Sequence, residues 1–304
     1  MSSTADNYYL GSLPLAAMAW IRLGVQPMVC LVGDPKEYES NLTRPSIEIL
    51  KKLNTTITFL QGKITLKKAT IAQHCRLYAA NSQLPLQPED VIIISDSDYI
   101  PIHKERHWAD GVDLMLYNSQ CCGYENHRGS HFPHLTVLTM GMTVATFREV
   151  LGTSKARYEN ATSIEGDLLN SFGKEGFEEA YNQARDLEQL HKHRMWYSDQ
   201  ILISYRINQW KRNKPGVSRT GEWSLVGARL DRMSWPRPEE VEKINVSTYG
   251  DMHLMRPAMK KWLDIRPVFK NLFSPEFYKM ADDYGVKLLD YHSQDLGPNP
   301  QSFV

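Results

Sequence analysis

Two aspartates, separated by one serine, follow directly on a run of apolar residues. The run covers residues 91–94, Ser95 comes next, and then Asp96, Ser97 and Asp98. Carboxylates at the end of a buried strand need a positive partner or a metal ion, because an isolated buried charge is costly. Hard divalent ions such as Mg²⁺ and Mn²⁺ take carboxylates together with phosphate oxygens and water. The spacing therefore predicts a metal site at Asp96 and Asp98 with positions left for a diphosphate; the alternative is an ordinary polar turn.

The apolar run predicts a strand that is buried on both faces, in the middle of an α/β sheet. Ligands of open α/β sheets bind at the carboxyl ends of the strands, where the aspartates lie. Elsewhere, apolar periodicity and turn residues predict strands and helices in alternation, which is typical of a parallel sheet. The sequence predicts helices at 13–23, 46–53 and 67–81, a polar helical segment at 152–193, a loop at 118–134, and strands at 27–33, 56–60, 91–94, 112–117, 135–146 and 244–249.

Composition and charge argue against several classes of partner. Lys+Arg and Asp+Glu both total 35, so bulk charge indicates neither a nucleic-acid nor a membrane-surface partner. No apolar stretch approaches the ~20 residues of a membrane span, and the first residues do not resemble a signal peptide. We therefore expect a cytoplasmic protein or, alternatively, an excised luminal domain of a secretory-pathway transferase. The spacing of the four cysteines predicts neither a zinc site nor a disulfide framework.

The Asp-Ser-Asp sequence at residues 96–98 resembles the DXD motif of GT-A glycosyltransferases, which hold a nucleotide-diphosphate sugar through a divalent metal. The start of the chain is similar to the glycogenin-like retaining glycosyltransferases, family eight of the sequence classification. In that family Thr-x-Asp-x-Tyr precedes a Gly-containing apolar helix and an apolar strand, as residues 4–8 do here. The resemblance implies that this loop binds the nucleobase and ribose, with Tyr8 stacking on the base. Ala5 stands where the family usually has Asn.

Shorter matches to the same family follow along the chain. Arg76 corresponds to a basic residue near the donor phosphates, and Gly141 corresponds to the glycine of the sugar pocket. Asp199 and Gln200 match an Asp-Gln pair beside the anomeric carbon, in the first turn of a helix that Ser198 is expected to cap. The resemblance therefore assigns Asp199 and Gln200 as catalytic residues.

The last match lies near residue 253. His253 stands where the family has its third metal ligand, after Asp96 and Asp98. The family's Gly-x-x-Lys-Pro-Trp sequence is absent, and Arg256 is the cation expected at the diphosphate. The nucleotide-sugar-binding residues implied by the resemblance are Ser3, Thr4, Ala5, Asp6, Tyr8, Arg76, Asp96, Ser97, Gly141 and Arg256.

The resemblance also implies the architecture. We expect an α/β GT-A fold, a Rossmann-like single domain with a mostly parallel central sheet flanked by helices. The catalytic domain would cover residues 1–262, with a nucleotide-sugar-binding half at 1–117 and an acceptor-binding half at 118–262. Residues 152–193 would be a helical insertion, and residues 263–304 a helix and tail packed on the domain.

These matches predict a metal-dependent glycosyltransferase that uses Mn²⁺ or Mg²⁺. It would move a sugar from a nucleotide-diphosphate sugar, with UDP favoured, to a carbohydrate or glycoconjugate acceptor, with retention of configuration. One alternative is an inverting transferase with Asp199 as base, or Glu165 or Asp167 in that role. Others are a haloacid-dehalogenase-like phosphatase with Asp96 as nucleophile and Asp98 as acid, and a non-catalytic binder of nucleotide-sugars.

Overall fold

The computed structural model describes residues 1–82, 84–117, 122–153, 160–184, 187–214, 220–223, 229–233 and 235–294. The tail predicted at the carboxyl end, and parts of the helical insertion predicted at 152–193, lie outside these residues. Within the described ranges, no helix is both long and apolar enough to cross a membrane.

The described residues form strands, α-helices and short 3₁₀ helices. The strands are β1 (Ser2–Ser3), β2 (Met28–Val32), β3 (Thr56–Leu60), β4 (Val91–Ser95), β5 (Tyr99–Pro101), β6 (Leu114–Tyr117), β7 (Tyr124–His127), β8 (Ser130–Pro133), β9 (Thr139–Thr143), β10 (Thr220–Trp223) and β11 (Asp251–His253). The α-helices are α1 (Asn7–Leu10), α2 (Leu13–Arg22), α3 (Arg44–Lys52), α4 (Lys68–Cys75), α5 (Val144–Leu151), α6 (Ala161–Phe172), α7 (Lys174–Gln183), α8 (Leu187–Lys192), α9 (Ser198–Asn213), α10 (Pro238–Val241), α11 (Trp262–Leu272) and α12 (Pro275–Gln294). The 3₁₀ helices are Pro35–Tyr38, Arg76–Asn81, Lys104–Arg106, Arg194–Tyr197, Val246–Thr248 and Ala258–Lys261.

The chain is an α/β protein, and the described residues divide into two compact units. The first unit is built from the described residues of Met1–Phe59, Asp96–Arg106 and Leu225–Gly297. The second unit is built from the described residues of Leu60–Ser95 and His107–Ser224. These two units are defined by how compactly their residues pack. The nucleotide-sugar-binding half predicted at 1–117 and the acceptor-binding half predicted at 118–262 are defined by function, and they stay predictions.

The first unit contains the three-stranded sheet β1-β2-β3 and the two-stranded sheet β11-β5. Strand β1 runs parallel to β2, with Ser3 opposite Leu31, as the alternation of strands and helices predicted. Helix α2 packs its apolar residues into the core of this unit. It ends close to Gly24, whose φ of +75° is the left-handed conformation that glycine adopts most easily.

The carboxyl-terminal helices α11 and α12 complete the core of the first unit. Trp262, at the start of α11, is fully buried, and its ring nitrogen donates to Asp282 Oδ1 at 3.0 Å. A Cβ atom on Gly285 of α12 would lie 2.3 Å from the Trp262 ring, so only glycine admits the indole here. The prediction of one helix and a tail is therefore corrected, in the described part, to two packed helices.

The second unit contains the four-stranded sheet β10-β6-β9-β4 and the hairpin β7-β8. Strand β4, which we expected in the middle of a parallel sheet, ends this order and pairs antiparallel with β9. Ile92 and Ile94 are buried, whereas Val91 is 39 % exposed. The expectation of burial on both faces is thus only partly met, because an apolar run does not specify which neighbour pairs with the strand or in which direction.

Local structure differs from prediction at the 118–134 segment. Residues 124–133 form the hairpin β7-β8, in which His127 pairs with Ser130 around a two-residue turn. Both turn residues, Arg128 and Gly129, have positive φ (50° and 72°), which matches the twist of a hairpin. Cys122, just before the hairpin, forms a disulfide bond that the cysteine spacing did not predict.

Three shorter predictions also need correction. The strand predicted at 244–249 is a 3₁₀ turn, because the Asn245 side chain accepts from Ser247 N at 3.3 Å and competes with strand pairing. The helix predicted at 67–81 changes to 3₁₀ geometry at Arg76. Ser198 is the first residue of α9, and its hydroxyl makes no capping hydrogen bond; the cap is Tyr197.

Candidate metal and nucleotide-sugar site

Strand pairing in the first unit brings His253 to the aspartate motif. Strand β5 starts immediately after Asp98, and β11 runs antiparallel to it with His253 opposite Tyr99. The amide of Leu254 donates to the carbonyl oxygen of Asp98 at 2.9 Å, which extends the pairing past the strand end. The backbone ladder therefore sets the position of the His253 side chain beside the Asp98 carboxylate.

Asp96, Asp98 and His253 form a cluster suited to a metal ion. One ligand atom from each residue lies within 4.8 Å of the other two. Asp98 and His253 are only 1 % and 3 % exposed. Among the described residues, Asp98 Oδ1 and His253 Nε2 are buried without a hydrogen-bond partner. Buried polar atoms are normally satisfied, and a bound metal ion would satisfy both. Two carboxylates and an imidazole fit Mn²⁺ well.

A second carboxylate, that of Asp231, lies near the other ring nitrogen of His253. Its Nδ1 lies 3.6 Å from Asp231 Oδ2, whereas Nε2 lies 3.5 Å from Asp98 Oδ2. Histidines that bind metals through one ring nitrogen usually direct the other to a carboxylate. Burial disfavours the charged imidazole, but Asp98 and Asp231 outweigh burial and raise the pKa of His253.

Two arginines approach the same oxygen of Asp98. Arg256 Nε lies 2.5 Å from Asp98 Oδ2, and Arg232 Nη1 lies 3.3 Å from it. Burial opposes ionisation of Asp98, yet Arg256, His253 and Arg232 together hold the pKa of Asp98 far below its usual range. The carboxylate is therefore ionised at neutral pH. Arg232 was not predicted, because no motif surrounds it in the sequence.

The cluster is connected to the amino-terminal loop through Tyr9. Arg256 Nη1 donates to the Tyr9 hydroxyl at 2.8 Å, and the guanidinium carbon lies 4.7 Å from the centroid of the Tyr9 ring. Burial raises the pKa of Tyr9, so its hydroxyl keeps its proton. The ring of Tyr8 meets that of Tyr9 edge-on, with centroids 5.0 Å apart. The first unit thus brings the predicted nucleotide loop and the predicted metal ligands together.

Within that loop, Asp6 has a structural role. Its Oδ1 accepts from the amides of Tyr8 (3.0 Å) and Tyr9 (3.3 Å), which caps helix α1, and Thr4 donates a short hydrogen bond to its other oxygen. Burial raises the pKa of Asp6. Ser3 is buried in β1, and its hydroxyl donates to Thr4 O at 3.1 Å. Partly buried Ala5 packs against the core, and Ser97 is buried between the aspartates.

The second unit contains the remaining predicted residues, and it pairs two of them directly. Arg76 Nη2 lies 2.7 Å from Asp199 Oδ2, and the two residues are only 7 % and 2 % exposed. Asp199 Oδ1 accepts from the amide of Gln200 at 2.8 Å, in the first turn of α9. The sequence predicted each residue separately, and the buried ion pair between them was not foreseen.

Gly141 has a packing explanation that the sequence could not supply. A Cβ atom there would lie 2.9 Å from Trp108 Cε3 and 3.0 Å from the carbonyl oxygen of His107. The groups that pack closely against Gly141 are therefore the Trp108 ring and the His107 backbone. Contact between Gly141 and a donor sugar stays a prediction.

The two further candidates for a general base are also engaged. Glu165 Oε1 accepts from the amides of Thr65 (2.5 Å) and Leu66 (2.6 Å). Asp167 accepts from the Tyr78 hydroxyl and lies 3.8 Å from Arg206 Nη2. Both carboxylates hold neighbouring segments together, which disfavours a role as base.

No protein-family model matches the chain, and no curated protein matches it significantly.

Proposed function

We propose that this protein is a glycosyltransferase of GT-A fold, which uses a divalent metal, Mn²⁺ or Mg²⁺, and a UDP-linked sugar. The observation that carries the proposal is the convergence of Asp96, Asp98 and His253, with two of their ligand atoms buried and unsatisfied among the described residues. The DXD-like sequence alone is short and occurs in unrelated enzymes. A histidine from a distant strand beside it makes the combination much more specific.

In this proposal Asp96, Asp98 and His253 hold the metal. The bound ion would neutralise charge on the departing diphosphate as a Lewis acid. Arg256 and Arg232 both pair with the Asp98 carboxylate, and in this proposal their guanidinium groups would also donate to phosphate oxygens. Tyr8 stacks on the base, while Asp6 keeps the loop in shape by capping α1.

We assign retention of configuration. A general base must reach the acceptor hydroxyl with an available oxygen, whereas Asp199 directs one oxygen to Arg76 and the other to the Gln200 amide. These contacts favour a role for Asp199 and Gln200 in positioning the sugar. Proton NMR of the product from an α-linked donor tests this assignment. A β-linked product would overturn it and make Asp199 the base.

Calorimetry of UDP binding with and without Mn²⁺, together with donor hydrolysis across a panel of nucleotide-sugars, tests the proposal without knowledge of the acceptor. We expect metal-dependent UDP binding that His253→Ala weakens while circular dichroism stays unchanged. Unaltered UDP affinity in this variant removes His253 from the site.

The same measurements separate the alternatives. A haloacid-dehalogenase-like phosphatase would hydrolyse an aryl phosphate and accumulate phosphorylated Asp96. Its general acid would be Asp98, whose pKa the surrounding arginines hold low, and this disfavours the phosphatase. A non-catalytic binder would show metal-dependent UDP binding but neither transfer nor donor hydrolysis. The acceptor in our proposal is a carbohydrate or glycoconjugate.

A further inference from the structure

Residues 229–231 lie alongside strand β11 in the first unit. Leu230 forms a parallel bridge with Met252. The amide of Leu230 donates to Asp251 O at 3.1 Å, and the amide of His253 donates to Leu230 O at 2.9 Å. The side chains of Leu230 and Met252 are both buried in the hydrophobic core. The backbone therefore fixes the register of this segment against the strand that carries His253.

This register brings two charged side chains of the segment to two ionisable side chains of β11. Because side chains alternate between the faces of a strand, the residues on either side of the bridge lie on one face. Arg229 Nε lies 2.6 Å from Asp251 Oδ1, and this largely buried pair anchors the segment. On the other side of the bridge, Asp231 Oδ2 lies 3.6 Å from His253 Nδ1. A carboxylate therefore faces the imidazole of a candidate metal ligand.

The Asp231 carboxylate is also oriented by its own segment. Its Oδ1 accepts from the amide of Met233 at 3.0 Å, whereas Oδ2 is the oxygen that approaches His253. The next residue, Arg232, directs its Nη1 to Asp98 Oδ2 at 3.3 Å. The segment thus meets the metal cluster at two points, with a carboxylate at one and a guanidinium at the other.

We propose that Asp231 is a positioning residue of the metal site, which keeps the proton of neutral His253 on Nδ1 and leaves Nε2 to bind the ion. A neutral imidazole has one N–H proton, and the partners of the two ring nitrogens determine which of them carries it. A metal ion binds the nitrogen that lacks the proton. This inference rests on the metal site of the proposed function.

Two carboxylates compete for that proton. Asp98 Oδ2 lies 3.5 Å from His253 Nε2, and a proton held there would block the metal. The same oxygen lies within ion-pair distance of Arg256 and Arg232, whose positive charges reduce its attraction for a proton. The negative charge of Asp231 attracts the proton to Nδ1, the nitrogen on the other side of the ring from Asp98. Without Asp231, Asp98 would be the remaining carboxylate in this competition.

The test compares Asp231→Asn with wild type in the full chain. This substitution keeps the shape of the side chain, and because the Met233 amide needs an oxygen at the position of Oδ1, the new amide nitrogen faces the imidazole. That nitrogen donates where Asp231 accepts, so the proton of His253 moves to Nε2. We expect the affinity for Mn²⁺ alone, measured by electron paramagnetic resonance, to fall about 10- to 100-fold. Asp283→Asn, at an exposed aspartate of α12, is the matched control.

Nitrogen-15 NMR of the metal-free protein separates this role from structural support. At high pH the imidazole is neutral, and the signals of His253 are identified by their loss in His253→Ala. Wild type should carry the proton on Nδ1, and Asp231→Asn should carry it on Nε2. A residue that only stabilised the fold would change the free energy of unfolding and leave the proton in place. A proton on Nε2 in wild type overturns the inference, and so does unchanged Mn²⁺ affinity in Asp231→Asn.

The outcomes distinguish this inference from the proposed function. If wild type and Asp231→Asn bind Mn²⁺ equally well, the inference fails and the metal site stands. If wild type binds no Mn²⁺, the metal site is refuted together with the role of Asp231. If Mn²⁺ binding depends on Asp231 but UDP does not bind, the positioning role stands and the transferase assignment fails.

Discussion

Asp98 is the residue on which most of the described contacts in the candidate site converge. Its Oδ2 lies within ion-pair distance of Arg256, Arg232 and His253, and its Oδ1 has no hydrogen-bond partner in the described ranges. In a purely structural network of ion pairs, we would expect both oxygens of the Asp98 carboxylate to have partners. An oxygen without a partner among the described residues can accept a further cation, as the proposed metal site requires.

Replacing Asp98 with Asn keeps the size of the side chain and removes its charge. If Asp98 is a metal ligand, the variant loses metal-dependent UDP binding, and the barrier to transfer or donor hydrolysis rises by at least ~3 kcal/mol, comparable to the loss of an oxyanion-hole donor. Calorimetry and donor hydrolysis measure the two effects. Asp110→Asn, at an exposed aspartate, controls for the change in net charge. Near-normal activity in both Asp96→Asn and Asp98→Asn would refute the metal site.

The buried pair of Arg76 and Asp199 leads to a second prediction at this scale. Arg76→Met leaves the Asp199 carboxylate buried without its partner, which costs about 3–5 kcal/mol in comparable cases. The double variant Arg76→Met/Asp199→Leu removes both charges and should recover part of that loss. Urea unfolding of both variants measures this difference. If the double variant is the less stable of the two, the pair is not the source of the effect.

At the scale of elements, the antiparallel pair β5-β11 and the strand β9 show two ways in which strands position residues. Pairing of β11 with β5 aligns His253 with Tyr99, directly after Asp98. In β9, Gly141 lets Trp108 and the His107 backbone approach the strand. The first arrangement positions the candidate metal ligand His253, and the second depends on the absence of a side chain at Gly141.

Gly141→Ala therefore overpacks the second unit. The new Cβ would lie within 3.0 Å of Trp108 and His107, and overpacking of this kind costs about 1–3 kcal/mol. Gly166→Ala, in helix α6, meets nothing within 4 Å and should stabilise the chain by about 0.4–1 kcal/mol. Thermal and urea unfolding of both variants are compared with wild type. Equal stability of the two variants would mean that the strand relaxes around the added methyl group.

At the scale of the whole molecule, buried titratable groups make stability depend on pH. His74, on α4, is fully buried, and its Nδ1 lies 2.7 Å from the Thr70 carbonyl oxygen. Burial lowers the pKa of His74 below its usual 6.5, although Asp199 opposes this shift. The folded protein consequently keeps this imidazole neutral at pH values where the unfolded chain binds a proton.

Because the unfolded chain binds this proton more readily than the folded protein does, the stability of the fold decreases as the pH falls. Above the unfolded pKa of 6.5 the contribution of His74 to stability is fully present. As pH falls from there toward the lower folded-state pKa, stability decreases by up to about 1.4 kcal/mol per pH unit. Urea unfolding between pH 5 and 8 should show a shallower acid decline in His74→Met than in wild type. Identical slopes would exclude His74 as a source of acid lability.

Local signals in the sequence predicted much of the secondary structure. The helix at 13–23, the strands at 27–33 and 56–60, and the α/β class are all found, because apolar periodicity and terminal glycines act within a few residues. The hairpin β7-β8 was missed because its turn, Arg128-Gly129, contains only one residue with a strong turn preference. The 3₁₀ turn at 246–248 was missed because one side-chain hydrogen bond from Asn245 outweighed the preference for strand.

Sequence alone predicted Asp96 and Asp98 as metal ligands, because two carboxylates follow an apolar run, and the resemblance to family eight added His253. Only the tertiary structure placed His253 beside Asp98, because strand pairing joins segments that are far apart along the chain. It likewise brought Arg232 and Arg256 to one carboxylate oxygen and paired Arg76 with Asp199. Residue types set which charges and ligand atoms this chain has, whereas partners distant in sequence determine whether each charge is neutralised, and no local pattern encodes that choice.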